Sequence, residues 1–253
     1  DLSESIANLY RSRGYLDFEI ISDSLIIDPE TGKARLELQV SEGAQYRVAE
    51  LSLEGNRQFD DERLEEFFKP RRGGLLASLG LSGGAESAET VGRVFDAVAF
   101  EQAQQEIQQL YYNEGFIFAQ MRPLVEKIAP SEEGEAPTVA LALDIQEGQP
   151  AFINRIMIEG NDYTYERVIR DQIVMLPGDV YSQDRVLQSY QSINALGFFE
   201  TPMPFPDIDA DPETGEVDIT FRVNEQQTGA INFGTSVGGG IGLSGFIGYD
   251  QPN

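Results

Sequence analysis

The chain has no cysteine, no histidine and few cations to set against its acids. Without cysteine there is no disulfide and no thiol chemistry, an absence that suits an exported protein as well as a cytosolic one. Without histidine the commonest general base and metal ligand is gone. The 18 lysines and arginines face 43 aspartates and glutamates, a net charge of −25. Binding phosphates needs a basic surface, so nucleic acid is not an expected partner. Such acidity fits either a surface kept hydrated and screened at high salt or simply a well-solvated one. No apolar run reaches the roughly 18 residues of a transmembrane helix, and no signal peptide is present. Catalysis would need a nucleophile and base, or paired carboxylates. The acids here are dispersed, which points away from an enzyme and from any cofactor.

What is present is repetition. The 253 residues are 41% hydrophobic, enough for real cores. Leu51-Ser52-Leu53-Glu54-Gly55-Asn56 returns 105 positions later (51 to 156) as Ile156-Met157-Ile158-Glu159-Gly160-Asn161. A glycine-aromatic step occurs three times, at Gly14-Tyr15, Gly115-Phe116 and Gly197-Phe198. Each is followed by a strand pair closing on an acid: Glu42, Glu147 and Glu225. The turn Asp28-Pro29-Glu30-Thr31-Gly32 recurs letter for letter at Asp211 to Gly215. A repeat of this kind decides the architecture.

The stretch from Phe152 to Glu225 is one complete copy. The alternating run ending at Gly160-Asn161 reads as a strand and turn. A short helix follows, with Thr164 as the expected N-cap and Val168, Ile169 and Ile173 on one face. A second helix starts at Ser182, carries Val186, Tyr190 and Ile193, and ends at Gly197, where a left-handed residue belongs. Strands Met203–Ala210 and Glu216–Val223 close the copy around a turn with proline early and glycine late. The order is β-α-α-β-β, an α+β fold with two helices on one face of a three-stranded mixed sheet.

On this pattern residues 1–45 form the second half of a first domain, with a helix from Ser3 to Arg13 and strands Phe18–Ile27 and Ala34–Val40. The chain therefore reads as a piece of something longer. Residues 46–149 form a second domain with an insertion around 70–99, and 150–226 a third. The insertion carries the glycine-rich apolar run Gly73 to Gly84, a mobile or partner-contacting loop, and the basic cluster Pro70-Arg71-Arg72. The acid runs Asp60-Asp61-Glu62 and Asp207 to Asp211 lack the spacing of a calcium loop and read as a helix first turn and a solvated hairpin, with no metal. The joints Gly43-Ala44-Gln45 and Gly148-Gln149-Pro150 are too short for free tethering.

Residues 227–253 differ. Seven of the ten odd positions from 231 to 249 are apolar, whereas most even positions from 230 to 248 are glycine, serine or asparagine. Period-two patterning of this kind suits a strand with lipid on one side and a polar lumen on the other. Gly238-Gly239-Gly240 splits it into a β-hairpin, Gly229–Val237 and Ile241–Tyr249.

The β-α-α-β-β repeat, running through Glu225-Gln226-Gln227-Thr228-Gly229 into Ala230-Ile231-Asn232-Phe233-Gly234, resembles the outer-membrane protein assembly factor BamA family. There, tandem POTRA (polypeptide-transport-associated) domains lead into a β-barrel. The resemblance implies a bacterial outer-membrane location with this part in the periplasm. It also implies unfolded β-barrel proteins and accessory assembly lipoproteins as partners, and contact with the outer membrane through the rest of the barrel. A two-partner-secretion or autotransporter-assembly relative with POTRA domains is the alternative. In each domain the strand after the glycine-aromatic step should sit at a sheet edge, where an extended client can add a strand. The candidate edge residues are Glu19, Ile20, Ile21, Ser22 and Asp23, and Ala119, Gln120, Met121, Arg122 and Val125. In the third domain Pro202, Pro204 and Pro206 alternate and should bar such pairing.

Overall fold

The structure, a computed structural model, describes residues 2–27, 34–69, 90–130, 132, 134–226, 230–238 and 242–250. An amphipathic helix α1 (Leu2–Arg11) leads into an antiparallel pair, β1 (Glu19–Ile27) and β2 (Ala34–Ser41). The repeated Asp28-to-Gly32 turn between them lies outside the described residues. Two copies of one sandwich follow. The first comprises β3 (Arg47–Glu54), α2 (Asp61–Glu65) running into a 3-10 turn at Glu66–Phe68, α3 (Ala97–Asn113), β4 (Gln120–Ile128) and β5 (Thr138–Gln146). The second comprises β6 (Phe152–Glu159), α4 (Glu166–Arg170), α5 (Gln183–Asn194), β7 (Asp207–Ala210) and β8 (Glu216–Arg222). The order β-α-α-β-β holds in both.

The last strand of each copy lies in the middle of its sheet, giving orders β3-β5-β4 and β6-β8-β7. It runs parallel to the first strand of its copy and antiparallel to the second. Residue pattern explains the placement. β5 buries Val139, Leu141, Leu143 and Ile145 at every second position, and β8 buries Val217, Ile219 and Phe221 likewise, so each offers the fullest apolar face to the helices. In α3 the buried residues Phe100, Ala103, Ile107 and Tyr111 recur at helical spacing and supply that contact. Phe95 and Phe100 meet edge to face at 5.9 Å within a cluster of Tyr46, Val48, Val139 and Leu141. Burying Ile107 fully stabilises this copy by about 1.5–3 kcal/mol. In the second copy Val186, Ser189 and Ile193 of α5 face inward. The buried Ser189 hydroxyl is satisfied, donating to Arg185 O at 2.7 Å and accepting from Val174 N at 3.1 Å.

Several local expectations shift. Helix α4 begins one residue later than expected: its N-cap is Tyr165, not Thr164, and no side chain caps it. Thr164 is occupied otherwise, its carbonyl accepting from Asn161 Nδ2 and its N–H donating to Glu225. Helix α4 is also only five residues long, so Ile173 lies beyond it. The strand expected from Met203 starts only at Asp207, after the prolines at 202, 204 and 206. The run Asp60-Asp61-Glu62 is the N-cap and first turn of α2, Asp60 accepting from Arg63 N. The insertion's Gly73–Gly84 run and Pro70-Arg71-Arg72 lie outside the described residues.

The tail forms the antiparallel hairpin β9 (Ala230–Gly238) and β10 (Gly242–Asp250), one residue later than expected. Its turn at 239–241 is outside the described residues. Odd positions pair with odd, Phe233 with Ile247 and Val237 with Leu243. Among the described residues no helix is long and apolar enough to cross a membrane. Contacts divide the chain into two compact units: Asp1–Tyr112 with Phe118–Gly148, and Asn113–Ile117 with Gln149–Asn253.

Candidate functional site: open edges and clamped turns

The residues expected to form binding edges lie on two different sheets of the first unit. Glu19, Ile20, Ile21, Ser22 and Asp23 begin β1, whose one described partner is β2. A bulge between Ile20 and Ser22 leaves Ile21 unpaired and exposed. Gln120, Met121, Arg122 and Val125 belong to β4, which pairs with β5 from Gln120–Gln146 to Ile128–Thr138. Ala119 does not join them. It precedes the strand and is buried, because the turn after Gly115 folds it against the core before the edge opens.

β4 is a long edge: nine residues, all exposed except the half-buried Met121. Pro123 sets the direction of its backbone groups. A proline in an edge strand must point its missing N–H away from the ladder. Alternation then turns residues 121, 123, 125 and 127 outward and residues 120, 122, 124, 126 and 128 toward β5. The outer rim therefore offers the N–H groups of Met121, Val125 and Lys127, interrupted once at Pro123. In the second unit the corresponding edge β7 has only four residues, preceded by three alternating prolines.

A polar lock sits where β1 and β4 come near each other, and nothing in the sequence marks it. Asp17, just ahead of β1, accepts from Lys127 Nζ of β4 and from Tyr46 Oη at 2.8 Å. The Lys127 ammonium also lies 5.6 Å from the Tyr46 ring centroid. The Lys127 and Tyr46 hydrogen bonds hold the Asp17 carboxyl below the usual carboxylate range. Reciprocally, the bond to Asp17 raises Lys127 and Tyr46.

The acids that close each repeat also have a task. Glu147 Oε1 accepts from the backbone N–H groups of Arg57 and Gln58, at 2.7 and 2.8 Å, and from Tyr111 Oη at 2.9 Å. Glu225 accepts from Tyr163 N at 2.8 Å and Thr164 N at 2.5 Å. Each glutamate thus clamps the turn that follows the first strand of its own sheet. Bonding to Thr164 first, and to the neighbouring backbone, pulls the Glu225 carboxyl below its ordinary value. Asn56 and Asn161 staple the same turns, each donating to the carbonyl three residues on at 3.0 Å. The repeat signalled these acids; their partners, 36 to 90 positions away, could not be read from it.

The preceding glycines are forced by close approach. Gly160 has φ +88°, and a Cβ there would lie 2.0 Å from Val223 O; Gly55 has φ +86° and would meet Ile145 O at 2.2 Å. The joints repeat as well. Tyr46 N donates to Gly14 O at 2.9 Å, and Ala151 N to Gly115 O at 2.8 Å. At the last glycine, Gln226 takes over, its N–H donating to Phe198 O at 3.0 Å and its side chain to Gly197 O.

Comparison with known proteins agrees with this architecture. The POTRA family model, described as surface antigen variable number repeat, matches residues 46–148 and 151–226. Outer membrane protein assembly factor BamA of Neisseria meningitidis serogroup B is 22% identical over 254 residues, covering 99% of this chain and 28% of that protein. The chain spans about a quarter of the length of the curated relatives it matches. Among solved structures, Haemophilus influenzae BamA POTRA3-5 superposes with a TM-score of 0.60 at 20% identity, over 88% of this chain and 78% of that one. BamA of Haemophilus ducreyi lacking POTRA domains 1-3 gives 0.54 at 23% identity, over 81% and 34%.

Proposed function

The chain belongs to the POTRA family, the surface antigen variable number repeat, and from that premise we propose that it is the periplasmic scaffold of an outer-membrane protein assembly machine. Its work is done by backbone edges and surfaces, without a catalytic group. Extended segments of unfolded outer-membrane β-barrel proteins add as strands to β1 and β4, and accessory assembly lipoproteins dock on the same scaffold. The hairpin β9–β10 opens the barrel through which it meets the outer membrane. The relatives named as assembly factors support this reading.

The observation that carries it is β4, a nine-residue exposed edge whose inner groups are paired and whose outer N–H groups are presented in register. An incoming strand gains affinity from main-chain hydrogen bonds and selectivity from alternate side chains, the manner of β-augmentation. The proline-led β7 cannot serve in this way. Titrating an extended peptide from a β-barrel protein against the backbone amide signals tests the proposal. Shifts should concentrate on residues 19–23 and 120–128, strongest at 121, 125 and 127. Shifts gathered on residues 203–209 instead would overturn it.

A further inference from the structure

The end of the second unit from which the chain passes into the hairpin carries two exposed tyrosines that its counterpart in the first unit lacks. Tyr163 is 91% and Tyr165 84% exposed, in the turn clamped by Glu225. The same turn in the first unit has the same staple and the same clamp, yet the positions 105 earlier hold the polar Gln58 and Asp60. At Asp60 the side chain caps helix α2; at Tyr165 no side chain caps α4. An N-cap lost in favour of an exposed aromatic ring works against local stability, so what the ring does must lie outside the domain.

Neighbouring features show what it meets. Phe198, 40% exposed, lies at the same end, its carbonyl bonded to Gln226. Ala230, the first residue of β9, is five Cα steps along the chain from Glu225, which puts the start of the hairpin within about 18 Å of that clamping residue. On that hairpin the cross-strand pair Phe233 and Ile247 is 82% and 83% exposed, the outward face that hydrocarbon would cover. Tyrosine, with an apolar body and a polar tip, is the residue type that settles at headgroup level beside spanning segments.

We propose that Tyr163 and Tyr165, with Phe198 at the same end, anchor this end of the domain in the headgroup layer of a zwitterionic lipid surface. The inference rests on the reading of β9–β10 as membrane strands. Zwitterionic rather than anionic lipid follows from the charge of −25 and from Asp162, Glu166 and Glu225 beside the rings, which an anionic surface would repel.

The chain has no tryptophan, so single substitutions report without background. Tyr163→Trp, Tyr165→Trp, Gln58→Trp and Phe233→Trp are prepared in the 253-residue chain and mixed with phosphatidylethanolamine/phosphatidylcholine vesicles brominated near the carbonyl end of the acyl chains. Several-fold quenching of Tyr163→Trp, Tyr165→Trp and Phe233→Trp, with Gln58→Trp unchanged, is the expected result. Quenching of Phe233→Trp with both tyrosine reporters unaffected overturns the anchor and leaves those residues to a protein partner. Equal quenching of Gln58→Trp overturns it as non-specific adsorption. An unquenched Phe233→Trp removes the membrane-strand reading, and the anchor with it.

Discussion

At the scale of single residues, two carboxylates and two glycines hold the turns that the repeats share. The ionised form of Glu225 is favoured first by the Thr164 side chain and then by the backbone N–H groups of the clamped turn. A carboxyl lowered in the folded state stabilises fully above its unfolded value, about 4.3. That stabilisation is lost as pH falls through the lower native value. Glu225→Gln should therefore reduce Tm at neutral pH, and the gap to the native chain should narrow progressively as pH falls below about 4.3, read from thermal melts taken down through the acid range. Gly160→Ala should cost about 1–3 kcal/mol from the left-handed backbone alone. The carbonyl of Val223, 2.0 Å from the new Cβ, adds to that, and urea denaturation measures the total. Tyr165→Asp should move the other way, adding about 0.5–1 kcal/mol by restoring an N-cap while removing the proposed lipid contact.

At the scale of elements, the contrast between β4 and β7 rests on proline parity. Position 125 faces outward with Pro123, so Val125→Pro should leave the β4–β5 ladder intact, shift stability by no more than about 0.5 kcal/mol, and abolish peptide addition at this edge. Leu124→Pro, one position away, should break a ladder bond and cost about 1–3 kcal/mol. Denaturant melts paired with peptide titration separate the two variants, and equal loss of stability would mean the parity is reversed. β4 and β7 are both sheet edges. What distinguishes β4 is length and available donors.

At the scale of the whole molecule, charge dominates. With 43 acids and 18 bases, most carboxylates have no cation to pair with. The ion pairs that form, such as Arg222 with Glu159 and Asp207 or Arg185 with Asp179, are largely exposed and individually weak. Repulsion among the unpaired acids then exceeds their attraction. Raising sodium chloride from about 0.05 to 1 M shortens the screening length from well above 10 Å to about 3 Å, so Tm should climb over that range. A falling curve would mean that the exposed ion pairs outweigh the repulsion.

What the sequence determined by itself was everything set by neighbours along the chain. Strand and helix periodicity, the Gly160-Asn161 and Asp211–Gly215 turns, the left-handed Gly197 and the odd-with-odd pairing of the hairpin all follow from steric and hydrogen-bonding rules acting over a few residues. The near miss was also local: Thr164 was the expected N-cap, but the helix starts one residue later with Tyr165 at that position, while the Thr164 N–H donates to Glu225. Tertiary structure alone decided the rest. The burial of Ala119, the clamps from Glu147 and Glu225, and the lock joining Asp17, Tyr46 and Lys127 each depend on groups 29 to 110 positions apart. No local pattern encodes such pairs, because their energy exists only once the sheets have brought them within hydrogen-bonding distance.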